Sequence, residues 1–77
     1  MTIGIYSLYW EEQDLIYIGK SERIEHRFKE HINKLSKQTH YNHKVQEAYN
    51  LYGKPICSII EECSLKELND KEISWIK

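Results

Sequence analysis

The sequence has few cysteines and no long apolar run, and each of these absences excludes a class of protein. Its 77 residues include only Cys57 and Cys63. Two cysteines are too few for a disulfide framework, so we expect both to be reduced, buried thiols. The apolar runs are far shorter than the roughly 20 residues that cross a bilayer, and the N-terminus shows no basic-then-apolar leader. A cytoplasmic protein with no membrane contact is therefore expected.

Internal repeats, linkers and low-complexity segments are also absent from the 77 residues. The chain is therefore predicted to form one domain, 1–77. A domain of this size buries only about 60% of the surface that the unfolded chain exposes. Its core must be small, which makes local sequence signals informative.

The formal net charge of −1 hides an uneven distribution. Residues 1–19 carry three acids and no Lys or Arg, whereas residues 20–44 carry seven Lys or Arg, three acids and all four histidines. Residues 45–77 carry four bases and six acids. A basic block of this kind can contact nucleic-acid phosphates, although with weak non-specific affinity. The alternative is an ordinary solvated helix surface.

Two β-branched and aromatic segments, IGIYSLYW and LIYIG, enclose the polar tetrapeptide EEQD. The segments are residues 3–10 and 15–19. This pattern predicts a β-hairpin. Strand alternation then places Tyr6 and Tyr17 on the same face. Gly4 and Gly19 are expected to leave open space beside them, so that the two phenols form the walls of a shallow pit.

A first helix is predicted from an N-cap at Ser21 to about Lys37. Its apolar stripe consists of Ile24, Phe28, Ile32 and Leu35. Arg23, Arg27 and His31 each precede a stripe residue by one position, which is about 100° around the helix. They are therefore expected to border the buried face.

A second helix is predicted from Tyr41 or Asn42 to the stop at Gly53, and a third strand over residues 56–61. The sequence from Ser64 to Glu67 then spells a capping box that opens the last helix.

Glu72 occupies an unusual position on this last helix. Leu65, Leu68, Glu72 and Ile76 follow steps of three, four and four, so Glu72 takes a place that the period reserves for an apolar side chain. A carboxylate that points inward must be paired, neutralised or bound to a metal.

The order ββααβα and five separated motifs resemble the GIY-YIG nuclease family, whose name quotes the triplets at residues 4–6 and 17–19. The other motifs are Arg27 within IEHRFKEH, the segment HYNHKVQEAYNLYG and the terminal EISWIK. The resemblance covers essentially the whole chain and is closest to the homing-endonuclease branch. It implies an α+β fold with a small antiparallel three-stranded sheet flanked by helices.

The resemblance also implies an activity, namely divalent-metal-dependent hydrolysis of a DNA phosphodiester bond. Tyr6 and Tyr17 would be the active-site phenols, Arg27 would contact the scissile phosphate, and Glu72 would hold one Mg²⁺ or Mn²⁺. Lys20 matches a basic residue that some family members use near the attacking water.

Further residues are assigned less directly. His31 and His40 match positions where the homing branch often has histidine, and the basic residues expected to contact DNA are Lys20, Arg23, Arg27 and Lys34. The sequence alone does not determine whether Tyr6 or Tyr17 is the general base. Tyr17 is favoured because the nearby charge of Lys20 would lower the pKa of its phenol.

Members of the family that the chain resembles usually carry an asparagine beyond the metal-binding helix, and homing members attach this module to a separate DNA-binding domain. The chain is therefore expected to be a fragment, or to borrow affinity from a partner or a homodimer. A phage or mobile-element origin is expected from the branch resembled. The rival hypothesis is a catalytically silent nucleic-acid-binding or protein-interaction module.

Overall fold

A computed structural model describes residues 1–76, with the side chain of Ile76 excluded. The elements follow the predicted order ββααβα. They are β1 (Gly4–Trp10), β2 (Leu15–Ser21), α1 (Ile24–Ser36), α2 (His43–Tyr52), β3 (Ile56–Glu62) and α3 (Leu68–Ile76). A single 3₁₀ turn, Leu65–Glu67, leads into α3. Within residues 1–76, no helix combines the length and apolar character of a bilayer span.

The three strands form the predicted antiparallel sheet, and their order in it is β2-β1-β3. In the hairpin, Tyr6 pairs with Gly19 and Leu8 pairs with Tyr17. Because paired residues share a face and the face repeats every second residue, Tyr6 and Tyr17 project from the same side as diagonal neighbours.

The expectation of open space beside Gly4 and Gly19 was wrong, because other atoms fill both positions. A Cβ atom on Gly19 would lie 2.5 Å from the Cζ and hydroxyl oxygen of Tyr6, and one on Gly4 would clash with the backbone carbonyl of Glu61. The phenol of Tyr6 thus lies directly on the backbone of the neighbouring strand. Gly19 is needed for this close approach, and no pit is present there.

The main core lies between one face of the sheet and the first two helices. Its buried members are Tyr6, Leu8, Trp10, Ile24, Leu35, Val45 and Ala48. Ile5, on the other face of β1, is also fully buried. It pairs with Lys20, whose ammonium contacts Asn69 and Glu72 of α3. The third helix therefore covers the second face near the β2 edge.

Ser21 does not cap α1, contrary to the prediction. Strand β2 extends through Ser21, which pairs with Gly4, and the helix starts at Ile24. The hydroxyl of Ser21 instead accepts a hydrogen bond from the backbone N–H of Arg23. Pairing with β1 across the chain thus overrides the local capping preference of serine.

The other predicted helix ends are confirmed. The side chain of Asn42 caps α2 by accepting from the N–H groups of Lys44 and Val45. The helix stops at Gly53, whose φ of 89° suits a residue without Cβ. The Ser64 and Glu67 capping box is complete.

The third helix is fixed to β3 through Glu61. One carboxylate oxygen of Glu61 accepts from Nε1 of Trp75 at 2.7 Å, and the other pairs with Nζ of Lys71 at 2.9 Å. Leu68 is buried, but Leu65 is 57% exposed, so the predicted apolar stripe holds only in part. The predicted inward position of Ile76 lies outside the described side chains.

Candidate active site

Tyr6 and Tyr17 both contact the imidazole of His31. The hydroxyl of Tyr6 hydrogen-bonds Nε2 of His31 at 2.7 Å. The ring of Tyr17 lies edge-on to the same imidazole, with 5.7 Å between the ring centroids. His31 is only 2% exposed, more deeply buried than the bordering position that the helical period predicts. The two phenols are therefore linked through a buried histidine.

Hydrogen bonds continue from Tyr6 through both histidines to the start of α2, and the donors fix the tautomer of each ring. The backbone N–H of Asn42 donates to Nδ1 of His40 at 3.0 Å. A neutral His40 must then carry its proton on Nε2, which lies 2.7 Å from Nδ1 of His31. His31 in turn carries its proton on Nε2 and donates it to the oxygen of Tyr6. The phenol proton of Tyr6 is thereby directed away from the histidines.

Burial keeps this histidine pair uncharged. It lowers the pKa of His31 from the ordinary 6.5 to about 4, and the neighbouring His40 and Arg27 act in the same direction. Burial also lowers the pKa of His40. Both imidazoles are therefore neutral at pH 7, which is the state that the tautomer assignment requires.

Gln46 holds the segment between α1 and α2 that presents His40. Its side-chain oxygen accepts from the backbone N–H of His40 at 3.1 Å, and its nitrogen donates to the carbonyl of Leu35 at 3.0 Å. The end of α1 and the position of His40 are thus fixed by one side chain.

Arg27 lies one helical turn before His31 and contacts a third phenol, that of Tyr41. Its Nη2 donates to the hydroxyl of Tyr41 at 3.4 Å, while Nη1 faces Glu30 at 3.7 Å. The hydroxyl of Tyr41 is also 2.7 Å from that of Tyr17. Three phenols and one guanidinium therefore meet on the same side of the sheet.

The pKa values of the two family tyrosines are raised by burial, but their other neighbours differ. For Tyr6, the hydrogen bonding and charge of Arg27 oppose the effect of burial on the pKa. For Tyr17, the hydrogen bond with Tyr41 raises the pKa further. The expectation that Lys20 lowers the pKa of Tyr17 was wrong, because alternation along β2 directs Lys20 to the other face.

Lys20 instead faces the third helix. Its ammonium is 3.5 Å from Oε1 of Glu72 and donates to Oδ1 of Asn69. The side chain of Glu72 is 25% exposed, so the predicted inward carboxylate is half-buried and paired. Its negative charge makes a small contribution to the raised pKa of Tyr6, for which burial is the main cause.

A cleft of about 420 Å³ runs along the β2 edge beside Arg27. Lys20, Arg23 and His26 also line it, together with Ser21, Glu22, Glu30 and Leu68. Three of the four predicted DNA-contacting residues therefore share one surface. Lys34 does not line this cleft, since it follows Arg27 by about two helical turns.

The residues around Lys20 are compatible with a divalent metal. Within the described residues, no group of three or more His, Cys, Asp or Glu side chains could form a protein-only metal cage. However, the carboxylate of Glu72 and the amide oxygen of Asn69 already face one cation, the ammonium of Lys20. Mg²⁺ accepts such oxygens and takes its other ligands from water and substrate phosphates.

Sequence patterns did not predict Tyr41, Gln46 and Asn69 as residues of this site. Tyr41 and Gln46 lie within the segment that supplied the family resemblance, but nothing in their spacing distinguished them from packing residues. Asn69 precedes Glu72 by three residues on α3, so only the helical period could have paired them.

The fold and this arrangement define a small α+β domain with a tyrosine-rich site at a sheet edge. Comparisons with known proteins identify the family to which this fold belongs. The model of the GIY-YIG catalytic domain matches residues 2–77. The chain belongs to the GIY-YIG family.

Known relatives include Intron-associated endonuclease 1 of Enterobacteria phage T4, which is 32% identical over 80 residues. The match covers all of this chain and 33% of that protein, so the chain spans about a third of the relative's length.

Two solved structures are similar over nearly the whole chain. The catalytic domain of homing endonuclease I-TevI superposes with a TM-score of 0.88 and 30% identity, covering 96% of this chain and 84% of that one. A single-residue mutant of the I-TevI catalytic domain gives a TM-score of 0.89 at 30% identity, with 99% and 81% covered.

Proposed function

We propose that this chain is a divalent-metal-dependent endonuclease domain that hydrolyses a DNA phosphodiester bond. The observation that carries the proposal is that Tyr6 and Tyr17 both contact His31, while Arg27 is joined to Tyr17 through the hydroxyl of Tyr41. Glu72 pairs with Lys20, which lines the same cleft as Arg27. Family membership supports it, because the phage T4 relative is itself named an endonuclease.

Tyr6 is the general base in this proposal, in preference to Tyr17. Its phenolate would accept a proton from water while the water oxygen bonds to phosphorus and the bond to the leaving oxygen breaks. The Nε2–H of neutral His31 donates a hydrogen bond to the Tyr6 oxygen, and the nearby Arg27 lowers the pKa of Tyr6 against the larger raising effect of burial. Both interactions favour the phenolate. A positioned base of this kind contributes about 10²–10⁴ in rate.

Tyr17 and Arg27 bind the phosphate. The raised pKa of Tyr17, caused by burial and by its bond with Tyr41, keeps its proton available for donation. Arg27 offers a planar fork of donors that suits two phosphate oxygens.

Glu72 and Asn69 would hold one Mg²⁺ or Mn²⁺. When bound there, the ion supplies positive charge for the phosphate and the leaving oxygen. Lys20 then exchanges its contact with Glu72 for a phosphate oxygen, and Arg23 extends the basic surface along the DNA backbone. Lys34 contributes a more distant contact.

The proposal is tested by incubating supercoiled plasmid with protein well above micromolar concentration, in Mg²⁺, Mn²⁺ or EDTA. We expect nicking only with a divalent ion. Glu72→Gln should abolish nicking but leave DNA binding nearly intact, because the cleft keeps its basic residues. Glu47→Gln, an exposed glutamate of α2, is the matched control and should cleave like the wild type. Cleavage by Glu72→Gln at the wild-type rate would end the metal-ligand assignment.

One observation favours a second function, a catalytically silent nucleic-acid-binding or protein-interaction module. The carboxylate of Glu72 is already neutralised by Lys20, so the fold does not depend on a metal to compensate it. DNA binding without cleavage under every metal condition would support this alternative.

We also infer that affinity for a specific DNA site comes from outside these residues. The chain corresponds to about a third of its phage relative, and its basic cleft is small. A linked DNA-binding domain or a homodimer would supply the missing affinity, and a phage or mobile-element setting fits the relative's intron association.

A further inference from the structure

Tyr41 lies at the mouth of the candidate site and is 54% exposed. It belongs to the segment between α1 and α2, directly after His40. Its ring stacks on the imidazole of His40, with 4.6 Å between centroids and 20° between planes. Its hydroxyl projects between the two groups that the proposed function assigns to the phosphate, Tyr17 and Arg27.

Both neighbours of the Tyr41 oxygen can donate a hydrogen bond to it. Arg27 can only donate, and its Nη2 is 3.4 Å from this oxygen. The hydroxyl of Tyr17 is 2.7 Å away. Either hydroxyl can be the donor of this bond, and with the Tyr17 proton in it the Tyr41 oxygen accepts from both neighbours. A phosphate oxygen in the same place would accept the same two hydrogen bonds.

We propose that the hydroxyl of Tyr41 is an internal placeholder for a non-bridging phosphate oxygen of the DNA substrate, and that it leaves when the phosphate binds. This inference rests on the proposed function, because it takes its ligand to be a DNA phosphate. The placeholder keeps Tyr17 and Arg27 oriented in the free protein. The Tyr41 hydroxyl also competes with the DNA phosphate for these two donors, so it lowers the affinity of the domain for DNA.

Displacement of Tyr41 requires little rearrangement. The ring is more than half exposed and lies outside the core cluster. The adjacent His40 is held separately, through its backbone bond to Gln46 and its ring bond to Asn42. Rotation of the Tyr41 side chain would therefore leave the Tyr6, His31 and His40 hydrogen bonds in place. A phosphate oxygen is the stronger partner for Arg27 because it is charged.

The test compares DNA affinity for the wild type and Tyr41→Phe, which keeps the stacked ring and removes only the hydroxyl. Binding of a fluorescent duplex is followed by anisotropy in EDTA, where no cleavage occurs. Tyr41→Phe removes two hydrogen bonds from the free protein, of which the one from Arg27 is long at 3.4 Å, and should lower Kd by about twofold to tenfold. Tyr52→Phe removes the hydroxyl of another exposed tyrosine and should leave Kd unchanged. In an Arg27→Gln background, Tyr41→Phe should lower Kd by a smaller factor, because the Tyr41 hydroxyl then no longer competes with the phosphate for the Arg27 donor.

An unchanged or higher Kd for Tyr41→Phe overturns the placeholder, and a higher value would show that Tyr41 itself contacts DNA. The proposal is also overturned if Tyr41→Phe lowers Kd by the same factor in the Arg27→Gln background. Failure of every variant to bind the duplex overturns it as well. The proposed function fails separately, when the wild type binds DNA but does not cleave it with Mg²⁺ or Mn²⁺.

Discussion

Lowering the pH from about 7 to about 5 should protonate His31 in the unfolded chain but not in the folded domain. The pKa of His31 is lowered to about 4 by its burial, against an ordinary value of 6.5. Between these two values the unfolded chain binds more protons than the native state, so stability falls as the pH falls. The stabilisation is complete above pH 6.5 and is lost progressively towards pH 4.

The size of the effect follows from these two pKa values. At pH 5 a histidine with a pKa of 6.5 is almost fully protonated, whereas one with a pKa of about 4 is largely neutral. Integration from pH 7 to pH 5 gives about 2 kcal/mol of lost stability from His31 alone. A domain of this size has about 4–12 kcal/mol in total. The buried His40, whose pKa is also lowered, adds to the loss.

The assay is urea unfolding at several pH values between about 5 and 7, followed by tryptophan fluorescence. Wild type is compared with His31→Gln, which has no titrating imidazole at this position. The variant loses hydrogen bonds, so its stability is lower throughout and the slope against pH is the informative quantity. We expect a clearly shallower slope for His31→Gln. His26→Gln, which removes an exposed imidazole of the same helix, should keep the wild-type slope.

The two carboxylates with lowered pKa values titrate outside this range. The pKa of Glu25 is lowered to about 2 by hydrogen bonds from Thr2, and that of Glu61 is lowered by Lys71 and Trp75. Both therefore lose their stabilising charge below the pH range measured. Equal slopes for wild type and His31→Gln would refute the conclusion that His31 is buried and neutral.

Two further changes test the sheet edge. Gly19→Ala should displace Tyr6 from His31, because the new Cβ would lie 2.5 Å from the phenol. We expect urea unfolding to show about 1–3 kcal/mol of destabilisation, and plasmid nicking to be slower. Unchanged stability and rate would contradict the close packing. Arg23→Glu should weaken DNA binding and reduce the log–log salt slope by about one unit, whereas Lys54→Glu, at the opposite end of the sheet, should change it much less. Equal effects from the two reversals would show that the cleft is not the DNA surface.

Most of the fold could be predicted because its signals are local. Alternation along the hairpin placed Tyr6 and Tyr17 on one face, and the capping box from Ser64 to Glu67 fixed the start of the last helical segment. The prediction failed where a distant segment decides the outcome. Ser21 is a good capping residue, but its backbone pairs with Gly4 in the sheet, so the helix starts later.

The contacts within the site were harder to predict, since they join residues far apart in the sequence. The orientation of Glu72 depends on the rotation of α3. That rotation is set by Glu61, which binds Trp75 and Lys71. Helical periodicity indicated an inward carboxylate but not its partner, Lys20. Tyr41 contacts Tyr17 only because the segment between α1 and α2 folds back over the hairpin, which no short-range pattern encodes.

The deep burial of His31 could not be predicted from hydrophobic periodicity. The period of α1 assigned the buried face to apolar residues and left His31 at its border. A polar ring can nevertheless be buried at low cost when every hydrogen-bonding atom has a partner. Both ring nitrogens of His31 have one, Tyr6 on one side and His40 on the other. Because the backbone N–H of Asn42 fixes the direction of these bonds, the start of α2 determines which way Tyr6 can release its proton.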